Sequence, residues 1–293
     1  MDSKARRPAG AAFAIALVIA FELPGASAAR AAAPSGATPV SAPPGATLAP
    51  APAAATRPAP APAKTVSASG APAARFDHSA FDRILSINVR HGLVDYRHIR
   101  AASLGDLDRY LDRLAAADPG RYPREERLAF EINLYNATMI RAVVARLDHA
   151  WSPADSNFAV FHAPLVRTKD GTISLDDLEN RVIRAAFHEP RVHVALVCAA
   201  RSCPPILPRA YRGDDLDRTL ENNLRAFLAD SSRNRVDEAA RRLRLSSLFR
   251  WYAKDFASLG GAQAIASRAL TRDSTGWKIE YLDYDWTLNI TPH

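Results

Sequence analysis

"PREERLAFEINLYNATMIRAVVARL" (residues 123–147) decides how this chain folds. Pro123 suits a helix start, and Glu125 and Glu126 suit the positive end of a helix dipole. Leu128, Ile132, Tyr135, Met139 and Val143 recur at helical spacing along one stripe. Phe130, Leu134, Ala137, Ile140 and Val144 cover much of the remaining surface. A helix that is apolar almost all round must be enclosed by other elements, so it forms the centre of a domain. It still carries Glu131, Asn133, Asn136 and Thr138. Asn133 and Asn136 are three apart and share a face, and buried amides need partners.

Around this helix the signals alternate in kind. Residues 76–92, "FDHSAFDRILSINVRHG", read as a helix stopped by Gly92. Residues 103–118 place Leu104, Leu107, Tyr110, Leu111 and Leu114 on one helical face. "LVRTKDGTISL" (165–175) reads as a hairpin turning at Asp170–Gly171. "SLDDLENRVIRAAF" opens on Ser174 with Asp177 three residues on, a capping-box pattern. "RVHVALV" (191–197) is a β-branched run expected to form one buried strand. Helices are expected over 214–230 and in "SSLFRWYAKDFASLGG", a hairpin over 235–246, and a last strand over 279–289. The sum is an α+β fold, with several helices around a small, mostly antiparallel sheet.

The chain's first part is of another kind. Lys4, Arg6 and Arg7 precede the apolar run "AAFAIALVIAF", and Ala26-Ser27-Ala28 follows with small residues. This is the pattern of a signal peptide over residues 1–28, which implies export to a periplasmic or extracellular space. The apolar run falls short of the roughly 20 residues a bilayer span needs, so no transmembrane span is expected in the mature chain. Residues 29–75 are Ala/Pro-rich with almost nothing to bury, and read as a disordered linker. Residues 76–293 form the single folded domain. The leader and linker hold seven of the 38 basic residues and two of the 31 acidic ones, leaving the domain near +2. That excludes nothing but removes any electrostatic case for nucleic-acid binding.

Both cysteines lie in "VHVALVCAARSCPPILPRAY" (192–211). An extended chain would hold their α-carbons roughly 16 Å apart, whereas a disulfide needs about 4.4–6.8 Å. Bridging them, for structure or for redox exchange, requires a tight turn through "AARS". Along a strand, Cys198 continues the stripe of Val192, Val194 and Leu196 and reads as core. Cys203 lies past the strand, after Arg201, whose guanidinium would favour a thiolate. The candidate chemistry is thiol-dependent acyl transfer or hydrolysis of a peptide or amide. It uses Cys203 as nucleophile, His193 as base, Glu179, and Asn133, Asn136 and Arg201 as a polar network. The alternative is a non-catalytic binding module whose polar groups satisfy one another. The ligand, small molecule or peptide, is not specified by the residues. The C-x4-C spacing lacks a second half, so no metal is expected, and no phosphate-cradling glycine loop implies a cofactor.

"FEINLYNATMIRAVV", the 171–211 segment, "LSSLFRWYAKDF" and "YLDYDWTLN" together resemble the domain of unknown function 547 family, in order, over most of residues 125–289. "GLVDYRHI" resembles a segment that often precedes this domain in bacterial members. The resemblance implies an exported protein and a layout similar to papain-like or transglutaminase-like thiol hydrolases. In those enzymes a cysteine begins the central helix, where this chain has none. A thiol site here must therefore be rearranged around His193. The family often has a histidine where this chain reads "LENR", with Asn180 and Arg181.

Overall fold

The computed structural model describes residues 74–147, 150–269 and 273–292. The expected signal peptide and nearly all of the expected linker lie outside the described residues. The fold is α+β. Helix α1 (Ser79–Asn88) packs on α2 (Leu104–Ala116), and α2 packs on α3 (Arg124–Val144). Helix α3 is the helix the sequence placed at the centre, and every residue from Leu128 to Ile140 is buried. Its apolar circumference forces this position, because any exposed face would leave Leu, Ile or Phe in water.

The strands form three separate small sheets. β1 (Val89–Arg90) pairs with β2 (Leu93–Val94). β3 (Val166–Thr168) and β4 (Gly171–Ile173) form the expected hairpin. Gly171 takes a φ of 135°, which a side chain would resist. β5 (Arg235–Asp237) and β6 (Arg242–Ser246) pair antiparallel, and β7 (Lys278–Leu282) joins β6 in parallel.

Between the hairpin and the cysteines runs α4 (175–187). Its start carries the full capping box between Ser174 and Asp177. Over Leu178–Arg184 it widens to π geometry, which turns Glu179, Ile183 and Arg184 inward together. Such π segments are rare and concentrate at functional sites. A second core forms where α5 (Leu216–Ala229), the β5–β7 sheet, α6 (Leu248–Trp251) and α7 (Ala253–Phe256) bury Val194, Phe227, Leu243, Phe249 and Phe256.

The strand expected over 191–197 does not form. Pro190–Val194 is a 3-10 turn, and the N–H groups of Ala195 and Leu196 both bond back to the Val192 carbonyl. The β-branched run is buried as expected, but a side chain takes the place of a neighbouring strand. Asn136 donates to the Ala195 carbonyl (2.9 Å) and accepts from the Val197 N–H (2.9 Å). Strand parity therefore does not apply, and the two cysteines exchange places relative to that expectation. Cys203 is 2% exposed and Cys198 is half-buried.

Candidate active site

The site starts from α3. Asn133 and Asn136, one turn apart, each clamp a separate backbone segment. Asn133 donates to the Tyr211 carbonyl (2.8 Å) and accepts from its N–H (2.9 Å). Asn136 holds residues 195–197. The two amides thus fix both ends of the cysteine-bearing segment, and each spends one donor and one acceptor on backbone. Their place in the expected polar network is to position this segment.

Between the clamps the chain makes the tight turn that bridging would require. Ala199 sits in the left-handed region at φ 62°, and the Cys203 N–H bonds to the Ala200 carbonyl (3.1 Å). A left-handed alanine costs about 1 kcal/mol, so surrounding bonds must hold it. They come from the C-terminal segment: Arg201 N–H to Thr287 carbonyl (2.8 Å), Ser202 N–H to Asp285 carbonyl (3.1 Å), and Asn289 N–H to Ala199 carbonyl (2.9 Å). Arg233 adds bonds to the carbonyls of Cys203 (2.9 Å) and Arg201 (2.7 Å).

The turn brings the two sulfurs 2.9 Å apart as free cysteines. The Cys198 N–H donates to Cys203 Sγ (2.9 Å), and the Tyr284 hydroxyl lies 3.4 Å from Cys198 Sγ. The sulfurs differ in acidity. Burial opposes the Cys198 thiolate, yet hydrogen bonds from Cys203, Tyr284 and backbone outweigh it and bring its pKa below the ordinary value. Burial and the neighbouring Cys198 sulfur push the Cys203 thiol well above it. A lone proton in the pair therefore resides on Cys203. The Arg201 side chain is exposed, and among the described residues no hydrogen bond or ion pair joins it to this cleft.

His193 and Glu179 share the cleft with both cysteines, together with Tyr135, Trp251, Tyr252 and Tyr284. The cleft is narrow, about 30 Å³. His193 stacks on Tyr252 at 3.6 Å between ring centres, and its Nε2 lies 2.7 Å from Asp255 Oδ2. Arg184 grips the same carboxylate at 2.7 and 3.1 Å. Burial lowers the His193 pKa to about 4 against the pull of Asp255. The ring is therefore neutral near pH 7, with Nε2–H donated to Asp255 and Nδ1 free to accept. Glu179 Oε1 lies 3.8 Å from that Nδ1. Burial raises the Glu179 pKa to about 7, tempered by a hydrogen bond with Tyr252. Among the described residues no hydrogen bond joins His193 to either sulfur.

Tyr252 and Tyr284 in the cleft, and Asp255 bonded to His193, are the site residues that sequence reasoning missed. They come from "FRWYAKDF", expected within one helix, and "YLDYDW", expected within a last strand. Arg250 and Lys254 point outward, while Tyr252 and Asp255 turn to His193 because the helix breaks at Tyr252 between α6 and α7. Among the described residues no group of three or more His, Cys, Asp or Glu could hold a metal ion.

The molecule is thus an α+β domain with a paired-cysteine cleft beside a His193–Asp255–Arg184 cluster. Residues 119–228 match the family described as protein of unknown function, DUF547. Neither curated proteins nor solved structures returned a match. The matched segment holds Asn133, Asn136, Glu179, His193 and both cysteines. Asp255 and Tyr284 lie beyond it, in segments that complete the same cleft. Among the described residues no helix is long and apolar enough to cross a membrane.

Proposed function

We propose that the cleft is a dithiol centre for thiol–disulfide exchange, with Cys198 as the attacking sulfur and Cys203 as the resolving one. The observation that carries this is the 2.9 Å approach of two free sulfurs, one half-buried and one enclosed. The Cys198 thiolate attacks one sulfur of a partner disulfide, and the partner's other sulfur leaves as a thiolate that takes a proton from water. Cys203 then loses its proton and attacks Cys198 Sγ, expelling the partner's second thiolate. Two electrons pass to the partner, and a Cys198–Cys203 disulfide remains. The reverse sequence oxidises a partner dithiol. Glu179 lines the cleft and titrates near neutrality, which suits it to take the Cys203 proton, directly or through water. The leader implies export, where such exchange has substrates.

A second reading, thiol-dependent hydrolysis or acyl transfer, draws support from the His193–Asp255 hydrogen bond beside the sulfurs. The narrow cleft favours exchange over it, because exchange needs access to one sulfur and not room for an amide. The buried Cys203 with its raised pKa makes Cys198 the nucleophile in either chemistry.

The test is trapping. Cys203→Ser incubated with oxidised glutathione should accumulate a glutathione adduct on Cys198, seen by mass spectrometry. The native protein should pass through it to an internal disulfide. Free thiols persisting in the native protein under oxidised glutathione would overturn the exchange reading. Turnover of p-nitrophenyl acetate that survives Cys203→Ser and dies in His193→Ala would establish the acyl-transfer reading instead.

A further inference from the structure

A second cavity lies away from the cysteines, between α2, α3, the β3–β4 hairpin and the π segment of α4. It measures about 350 Å³, within the roughly 300–1,000 Å³ of small-molecule sites. Leu114, Phe130, Leu134, Ile173, Leu178 and Val182 give it apolar walls, and Asp118, Thr168, Lys169 and Asp170 also line it, with Lys169 paired to Asp170 at 3.0 Å. Two polar side chains enter it from α3, Arg127 and Glu131, one turn apart.

Neither is satisfied. The Glu131 side chain is 5% exposed, and among the described residues its carboxylate accepts no hydrogen bond. The nearest cation is Arg127, whose Nε stands 4.0 Å away, too far to bond. That Nε is itself buried without a partner. A buried carboxylate without hydrogen bonds costs several kcal/mol, and here the cost is expressed as a Glu131 pKa raised by burial to about 7. An acceptor and a donor, neither hydrogen-bonded to protein, thus face one cavity of ligand size with apolar walls. A water could bridge them but would leave the apolar walls uncovered.

The complementary head group must donate and accept from adjacent atoms. A cation would meet Arg127, and above pH 7, where Glu131 is ionised, a carboxylate would meet its charge. A neutral carboxamide meets neither: its N–H donates to the Glu131 carboxylate and its C=O accepts from Arg127 Nε. We propose that this cavity binds a small molecule with an apolar body and a primary carboxamide head, held between Glu131 and Arg127.

The test uses 3-phenylpropanamide as the probe, titrated onto the full chain at pH 8 with ligand-observed NMR. The amide should bind, with 3-phenylpropanoate at least tenfold weaker. Glu131→Leu should weaken the amide about tenfold and narrow the gap between the two probes. Val182→Phe, which fills the cavity without touching either polar group, should abolish amide binding while leaving the Cys198 trapping reaction intact. That trapping reaction also certifies the fold of each variant. Equal binding of the two probes, amide binding unchanged in either variant, or no amide binding at millimolar concentration would overturn the proposal.

Discussion

At the scale of the residue, the cleft makes two chemically identical side chains unequal. The Cys198 thiolate is supported by the Tyr284 hydroxyl at 3.4 Å and by the enclosed Cys203 thiol. Cys203 has the Cys198 N–H at 2.9 Å, yet burial and the adjacent sulfur dominate it. Thiolate fraction governs alkylation. Iodoacetamide at pH 7 should therefore modify Cys198 well before Cys203, read by peptide mass spectrometry. Tyr284→Phe removes one donor to the thiolate and should slow Cys198 labelling several-fold at pH 7. At pH 10, where the thiol ionises unaided, the two proteins should react alike. A Tyr284→Phe rate equal to the native rate at both pH values would remove the tyrosine from the account.

At the scale of the element, the segment 190–198 depends on one side chain of α3. Asn136 supplies both of its buried backbone partners for residues 195 and 197. Asn136→Ala leaves a buried carbonyl and a buried N–H without partners, and should destabilise the fold by about 3 kcal/mol in urea unfolding. It should also release the cysteine turn, so that Cys203 becomes labelled at a rate approaching that of Cys198. A loss below 1 kcal/mol with Cys203 still protected would mean that the bonds to the C-terminal segment hold the turn unaided. The same segment marks the limit of what sequence could say. The central helix, the β3–β4 hairpin and the capping box at Ser174 were legible, because each rests on local periodicity or turn chemistry. "RVHVALV" was legible as buried but not as 3-10, since its hydrogen-bond partners lie some 60 positions away. Glu179 and His193 were legible as cleft residues by type. Asp255 was not legible as the partner of His193, because their meeting depends on a helix break at Tyr252 and on the packing of two cores.

At the scale of the whole molecule, four buried titratable groups oppose one another. Burial raises Glu131 and Glu179 to about 7 and lowers His78 and His193 to about 4. Between pH 4.5 and 6.5 the folded chain keeps two protons on its acids that the unfolded chain releases. It refuses two on its histidines that the unfolded chain takes up. The slopes cancel, so stability of the native chain should be nearly flat across this range. Removing one group unbalances the sum. The folded pKa of Glu131 is raised, so its favourable contribution is complete below about pH 4.5 and is lost as pH rises through about 7. Glu131→Gln abolishes that loss. Relative to the native chain, the variant should therefore gain about 3 kcal/mol between pH 4.5 and pH 8. Urea unfolding of both proteins at the two pH values measures this. Any fixed cost of burying the glutamine amide is the same at both and drops out of the comparison. A variant displaced from the native chain by equal amounts at pH 4.5 and pH 8 would show that Glu131 ionises normally, with water or a bound group satisfying its carboxylate.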